Sequence, residues 1–307
     1  MTRPDESVIE IQGPWTHRAV HAGGTRFHVV EAGEGPLVLL LHGFPQFWWT
    51  WRHQLVSLPA AGYRAVAADL RGYGGSDKPP RGYDLPTLAA DAAGLIRALG
   101  ETGAIVVGHD WGGLLAWTMA VLDPKCVRRL VAVSAPHPLR LRNALLTDPL
   151  GQLKASRQAL GFQVPLLPEH RLTRKDGALV GRYLEEWARP GWPEAGDARV
   201  YREAFRIPTV AHCALEYHRW FGRSQLRPDG RRFARAMRTE IEAPTLHLHG
   251  ALDPRALPRT AQGSSRYVAA PYRWRLFEGA GHFPHEEIPD AFDTELLGWL
   301  ADDEPDR

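Results

Sequence analysis

Only two cysteines, Cys126 and Cys213, occur in 307 residues, which excludes a disulfide framework, and they lack the clustered spacing of a zinc site. Both are expected as buried free thiols. An excess of one charge sign is missing too: 37 Lys+Arg oppose 35 Asp+Glu, a formal net charge of +2 at pH 7. Nucleic-acid binding and polybasic membrane contact both need a concentrated positive field, so neither is expected. No apolar run approaches the roughly 18 residues of a membrane span. Met1 to Glu10, which carries Asp5, Glu6 and Glu10, has no apolar signal core. Together these absences lead to the expectation of a soluble, cytoplasmic protein with no membrane insertion. Finally, no Gly-x-Ser-x-Gly occurs anywhere, so the commonest elbow nucleophile is lacking.

What is present is material for a large core, with 44% hydrophobic and 23% charged residues. Arg18 to Ala32 alternates apolar and polar around Ala22-Gly23-Gly24, the pattern of an edge hairpin. After it the period changes. Leu37–Leu41 is a short all-apolar run, and similar runs lie at Arg64–Ala68, Ala104–Val107, Leu130–Val133 and Thr245–Leu248, as in strands buried on both faces. Helical spacing separates them at Trp51–Leu58, Leu85–Leu99, Gly113–Leu122 and Ile288–Leu300. The expected fold is therefore α/β, a mostly parallel sheet flanked by helices, with its chemistry at the carboxyl ends of the strands.

Residues 137–236 break this alternation. They are proline-punctuated, helical in pattern and placed between the fourth and fifth apolar runs. The expected organisation is a core of residues 1–136 and 237–307 with residues 137–236 inserted as a helical lid (cap) over the strand ends.

The segment Val106-Val107-Gly108-His109-Asp110-Trp111-Gly112-Gly113 runs from an apolar strand through Gly-x-Asp-x-Gly into a helix. Small residues flank such a turn because its tight backbone leaves no room for side chains, the pattern of a nucleophile elbow with Asp where Ser is more usual. The bland alternative is a glycine-rich turn with Asp110 as a helix N-cap. In this fold class nucleophile, acid and histidine follow in that chain order. The sequence supplies Asp253 after the strand at Thr245 and His282 in Gly279-Ala280-Gly281-His282-Phe283. Among 14 histidines, His42, His137, His249 and His285 compete for the last role. The turn His42-Gly43-Phe44-Pro45 can aim the Phe44 N–H at the elbow, where with the Trp111 N–H it would form an oxyanion hole.

With Asp69-Leu70-Arg71-Gly72-Tyr73-Gly74-Gly75-Ser76-Asp77 added, this set of motifs resembles the epoxide hydrolase branch of the α/β-hydrolase superfamily, over about Gly35 to Leu300. An Asp carboxylate is already ionised at neutral pH and can attack a saturated carbon that bears a leaving group. Attack on an ester carbonyl would give an anhydride instead, which argues against esterase and peptidase activity. The resemblance thus implies Asp110 as nucleophile of a covalent alkyl ester, His282 as general base, Asp253 as its orienting acid, and no metal or organic cofactor. The implied partner is a small apolar epoxide or related electrophile, with a homodimer left open.

The resemblance also implies two lid tyrosines that polarise the epoxide oxygen. Aligned on Phe162-Gln163-Val164-Pro165 and on the Arg of Tyr217-His218-Arg219, those positions hold Gln158 and His218. His218, helped by Tyr217 or Tyr183, is the expected substitute. A haloalkane dehalogenase-like activity using the Trp111 indole, and a low-turnover binding protein, are the alternatives.

Overall fold

The computed structural model describes residues 6–302; residues 1–5, with Asp5, and 303–307, the two ends of the expected core, lie outside it. Eight strands form one sheet: β1 Thr16–Ala22, β2 Thr25–Ala32, β3 Leu37–Leu41, β4 Arg64–Ala68, β5 Ala104–His109, β6 Val127–Val133, β7 Thr245–Gly250 and β8 Tyr272–Phe277. Their spatial order is β1-β2-β4-β3-β5-β6-β7-β8. Pairing is antiparallel through β1, β2 and β4 and parallel from β4 onward. Gly23 and Gly24, with φ of 57° and 79°, make the two-residue hairpin turn between β1 and β2. Positive φ at both positions matches the twist of the strands.

All five side chains of β3 are buried, as are all six of β5 and of β7. That two-sided burial is the reason β3 and Ala104–Val107 of β5 are unbroken apolar runs, whereas β7 buries Thr245, His247 and His249 beside its leucines. β8 was not anticipated. Its Tyr-Arg-Trp-Arg-Leu-Phe alternates, with burial stepping between half-buried and exposed along an edge strand, so it carries no apolar run.

Helices α1 Gln54–Ala60, α2 Leu85–Ala98 and α3 Trp111–Leu122 precede β6. Asp84 caps α2 by accepting the Thr87 N–H. Between β6 and β7 every regular element is helical: α4 Pro138–Thr147, a short turn at Pro149–Leu153, α5 Arg157–Gly161, α6 Leu167–Trp187 with a break at 174–177, α7 Ala195–Phe205, α8 Val210–Ser224 and α9 Pro228–Ala236. After β7 come α10 Pro258–Gln262, α11 Pro284–Glu287 and α12 Pro289–Ala301. Cys126 and Cys213 are both buried free thiols. Among the described residues no helix is long and apolar enough to cross a membrane.

Candidate active site

β5 ends at His109, and the chain turns through Asp110 into α3. Asp110 has φ 48° and ψ −112°, a conformation that costs free energy for a residue with a Cβ. It is held there by its N–H donating to the Val133 carbonyl (3.1 Å) and its carbonyl accepting from Leu114 (2.9 Å). Two glycines make room. A Cβ on Gly112 would lie 2.1 Å from the Leu41 carbonyl oxygen, and one on Gly43 would lie 2.5 Å from the Asp110 Cβ. Because backbone rather than a flexible side chain blocks Gly112, Gly112→Ala is expected to cost about 2 kcal/mol or more, read as a melting temperature lower by about 4 °C or more.

β7 and β8 deliver the other two side chains. Asp253 follows β7, and its Oδ1 accepts the N–H groups of Arg255 (2.7 Å) and Ala256 (3.1 Å). Its Oδ2 accepts from His282 Nδ1 at 2.8 Å. His282 follows β8 and directs Nε2 at Asp110, 3.7 Å from Oδ1. The other Asp110 oxygen accepts the Phe44 N–H at 2.9 Å. Trp111 opens α3, so its N–H belongs to the first turn, which has no intrahelical acceptor. The five sequence-predicted residues of the elbow, triad and oxyanion turn therefore meet at the strand ends.

Three further residues hold the histidine and were not foreseen. His109 Nε2 hydrogen-bonds the His282 carbonyl (2.8 Å), while the His282 N–H donates to the Trp187 carbonyl (2.8 Å). Glu287 accepts the N–H groups of Gly281 (2.8 Å), Phe283 (2.8 Å) and Arg189 (2.7 Å). Its carboxylate clamps the loop from both sides of His282. None of the competing histidines is directed at Asp110 in its place: His42 bonds Leu70 and Gly43, His137 stacks on Tyr267, His285 bonds Thr50, and His249 bonds the Ala256 carbonyl with Nε2 3.5 Å from Asp253 Oδ2.

Burial opposes the charged form of all three triad members, yet the charges they share outweigh it. His282 is disfavoured as imidazolium by burial, but Asp253 and Asp110 raise its pKa to about 9. Asp110 would be pushed up by burial, but the His282 imidazolium facing it at 3.7 Å, with the Phe44 N–H, holds it well below the ordinary carboxylate range. Asp253 is lowered despite burial, chiefly by the His282 charge. The resting site is thus an imidazolium between two carboxylates. A folded pKa near 9 against the ordinary 6.5 means stability that is fully present below pH 6.5 and lost as pH rises through about 9. Thermal melts from pH 6.5 to 9.5 should decline, and His282→Gln should flatten that decline.

Above Asp110 lies a cavity of about 520 Å³, walled by Leu114, Leu141, Leu145, Leu153, Leu160 and Phe221 and reached by Asp110, Trp111, His218, Arg255 and His282. About a quarter of the Asp110 side chain (26%) is accessible from it. The Phe44 ring turns the other way, into an aromatic cluster with Phe162, Trp187, Phe205 and His218 that seats the inserted helices on the core.

Of the four residues expected at a leaving group, only His218 lines this cavity. Its Nε2 accepts the Trp111 indole N–H at 3.1 Å, so its proton sits on Nδ1, 3.2 Å from the Ala214 carbonyl. Burial pushes its pKa down to about 4. It is a neutral imidazole with both nitrogens engaged and offers no free N–H. The Tyr217 hydroxyl donates to the Arg71 carbonyl (2.7 Å). Gln158 accepts from Arg255. Tyr183 stacks on Trp187 (5.0 Å between centroids) and lines an outer cleft. No group of three or more His, Cys, Asp or Glu is placed to hold a metal ion among the described residues.

Residues 36–289 match the family profile of the α/β hydrolase fold. The chain is 36% identical to "Epoxide hydrolase 3" of Xenopus tropicalis, over 91% of this chain and 76% of that protein. It is 30% identical to "Epoxide hydrolase A" of Mycobacterium tuberculosis, over 94% and 98%. The crystal structure of Epoxide Hydrolase A from Mycobacterium thermoresistibile superposes with a TM-score of 0.79 at 30% identity, covering 95% of this chain and all of that one.

Proposed function

The chain belongs to the epoxide hydrolase branch of the α/β-hydrolase superfamily and is an enzyme of that class, and on that premise we propose that it opens an epoxide to a vicinal diol through a covalent ester on Asp110. One observation carries this reading: an ionised carboxylate, fixed by the Phe44 N–H and faced by His282 Nε2, at the floor of an apolar cavity. Residues 137–236 serve as the lid of that cavity.

In the first step an Asp110 oxygen lone pair forms a bond to an epoxide carbon, and the carbon–oxygen bond breaks toward oxygen. The alkoxide is met by the Trp111 indole N–H, which the resting site lends to His218. Esterification removes the Asp110 charge that helps keep His282 protonated. The imidazolium proton passes to the alkoxide and leaves the neutral base that the second step requires. His282 then takes a proton from water, and the hydroxide attacks the ester carbonyl. The Phe44 and Trp111 N–H groups hold the oxyanion. Collapse returns the His282 proton to the departing oxygen, and the new carboxylic acid reprotonates His282. The balance is epoxide plus water to diol.

A second reading has one observation in its favour. Neither lid position offers a proton donor, and a halide leaving group needs only the Trp111 N–H, so a carbon–halogen bond could be cleaved by the same Asp110. A panel of epoxides and chloroalkanes, followed for diol and chloride, separates the two. For either, single turnover in heavy-oxygen water should place one label in the Asp110 peptide, because water attacks the enzyme's own carboxyl carbon. Product formed without that label overturns the covalent route.

A further inference from the structure

Arg255 stands two residues beyond Asp253 and faces the same cavity as Asp110. One of its Nη atoms donates to two neutral acceptors, the Ala155 carbonyl (2.7 Å) and the Gln158 side chain, and its guanidinium lies 4.6 Å over the Trp187 ring. Among the described residues no carboxylate pairs with it, and its Nε and second Nη make no hydrogen bond to protein. Enclosure lowers its pKa from the usual guanidinium value, against an opposing pull from Asp110 and Asp253, both beyond ion-pair distance, and from Tyr183. A cation in such surroundings without a counter-ion is expensive unless a ligand supplies one.

An outer groove that shares Arg255 has the same sign: Lys154, Arg157 and Arg259 line it, Arg259 paired with Asp148 (2.7 Å), and Glu186 is the one acid of its lining. Lys154 and Arg157 are exposed and form no ion pair among the described residues. Arg223 stands on the cavity wall opposite in sign to Asp110. Asp110 and Arg255 share a wall that is mostly apolar, its hydroxyls and amides being those of Ser134, Gln152, Ser156 and Gln163, which suits an aliphatic chain with an electrophilic carbon and, elsewhere along it, an anion.

We infer that the electrophile this site takes carries a carboxylate, bound by the free N–H groups of Arg255 and drawn in by the basic groove. This deepens the proposed function, since it names the substrate class of the same cavity. A planar guanidinium pairs a carboxylate through two parallel N–H bonds, and a charge-assisted bond of this kind is stronger than a neutral one.

Binding is tested apart from turnover, by titrating hexanoate and hexanamide into the full-length protein. Hexanoate should bind tighter by on the order of tenfold or more, the effect of one charge-assisted pair. Arg255→Gln should bring the two affinities together, and Arg255→Lys should restore part of the gap. Lys154→Gln with Arg157→Gln should weaken hexanoate only at low salt and keep the preference. Equal affinities in the wild type, or a preference that survives Arg255→Gln, overturns the assignment. Matched terminal epoxides ending in carboxylate or amide then test the chemistry. Diol from neither, with the hexanoate preference intact, would sink the epoxide reading and leave the anion site standing.

Discussion

Asp110→Asn should lower kcat by on the order of 10⁴ or more, the scale of losing a covalent nucleophile, while the protein stays folded. The substitution keeps the shape. An Asn oxygen can still accept the Phe44 N–H that now bonds Oδ2 at 2.9 Å, and Asn tolerates positive φ, as the 48° at this elbow requires, better than most residues. What is lost is the charge. An amide oxygen does not displace an alkoxide from carbon, and no second carboxylate stands by: the remaining cavity-facing polar groups are Trp111, neutral His218, the cations His282, Arg223 and Arg255, and Ser134, Gln152, Ser156 and Gln163. His282 also loses one of its two carboxylate neighbours, so its pKa should fall from about 9 and the alkaline loss of thermal stability should move to lower pH. A variant with unchanged melting behaviour and turnover within tenfold of wild type would remove Asp110 from the chemistry and reduce it to a strained helix start.

Much of this architecture is legible before any coordinates because two-sided burial writes itself as apolar runs. β3, β4, β5, β6 and β7 lie where those runs lie. The elbow is legible for a steric reason: only glycine fits at Gly112, against the Leu41 carbonyl, and at Gly43, against Asp110. β8 was missed because an edge strand with Arg273 and Arg275 facing outward has no run to read. The positioning residues were missed for another reason. His109 and Glu287 act on loop backbone, and a hydrogen bond from His109 to a carbonyl 173 positions away leaves no local spacing. The inserted helices were the least legible. On a helix, neighbours point about 100° apart, so the adjacent Tyr217 and His218 have different destinations, one at the Arg71 carbonyl and one in the cavity. Composition could not decide between them. Arg255 is invisible in the same way, because its meaning lies in the absence of an acid nearby, which is a three-dimensional property.

His282→Gln divides the two half-reactions. Alkylation needs no base, since Asp110 is held ionised, and the alkoxide can take its proton from water. Hydrolysis of the ester does need a base, and Gln cannot accept a proton from water. The variant should therefore consume a burst of one equivalent of epoxide without releasing diol, and then turn over slower by on the order of 10³. Intact-protein mass should rise by the mass of the epoxide, with the adduct on the Asp110 peptide. Asp253→Asn should give a milder form of the same result. Its oxygen stays with the Arg255 and Ala256 N–H groups and its NH2 turns to His282 Nδ1, which favours the tautomer with the proton on Nε2; only the minor fraction of the other tautomer can act as base, so the adduct should accumulate and still decay. The order of the two variants matters. If water attacked the epoxide directly, with His282 as base in a single step, neither variant would burst or carry an adduct, and both would be slow from the first turnover. An adduct in His282→Gln that decays slowly, together with a faster decay in Asp253→Asn, is the pattern that only a nucleophile, base and orienting acid acting in that sequence produces.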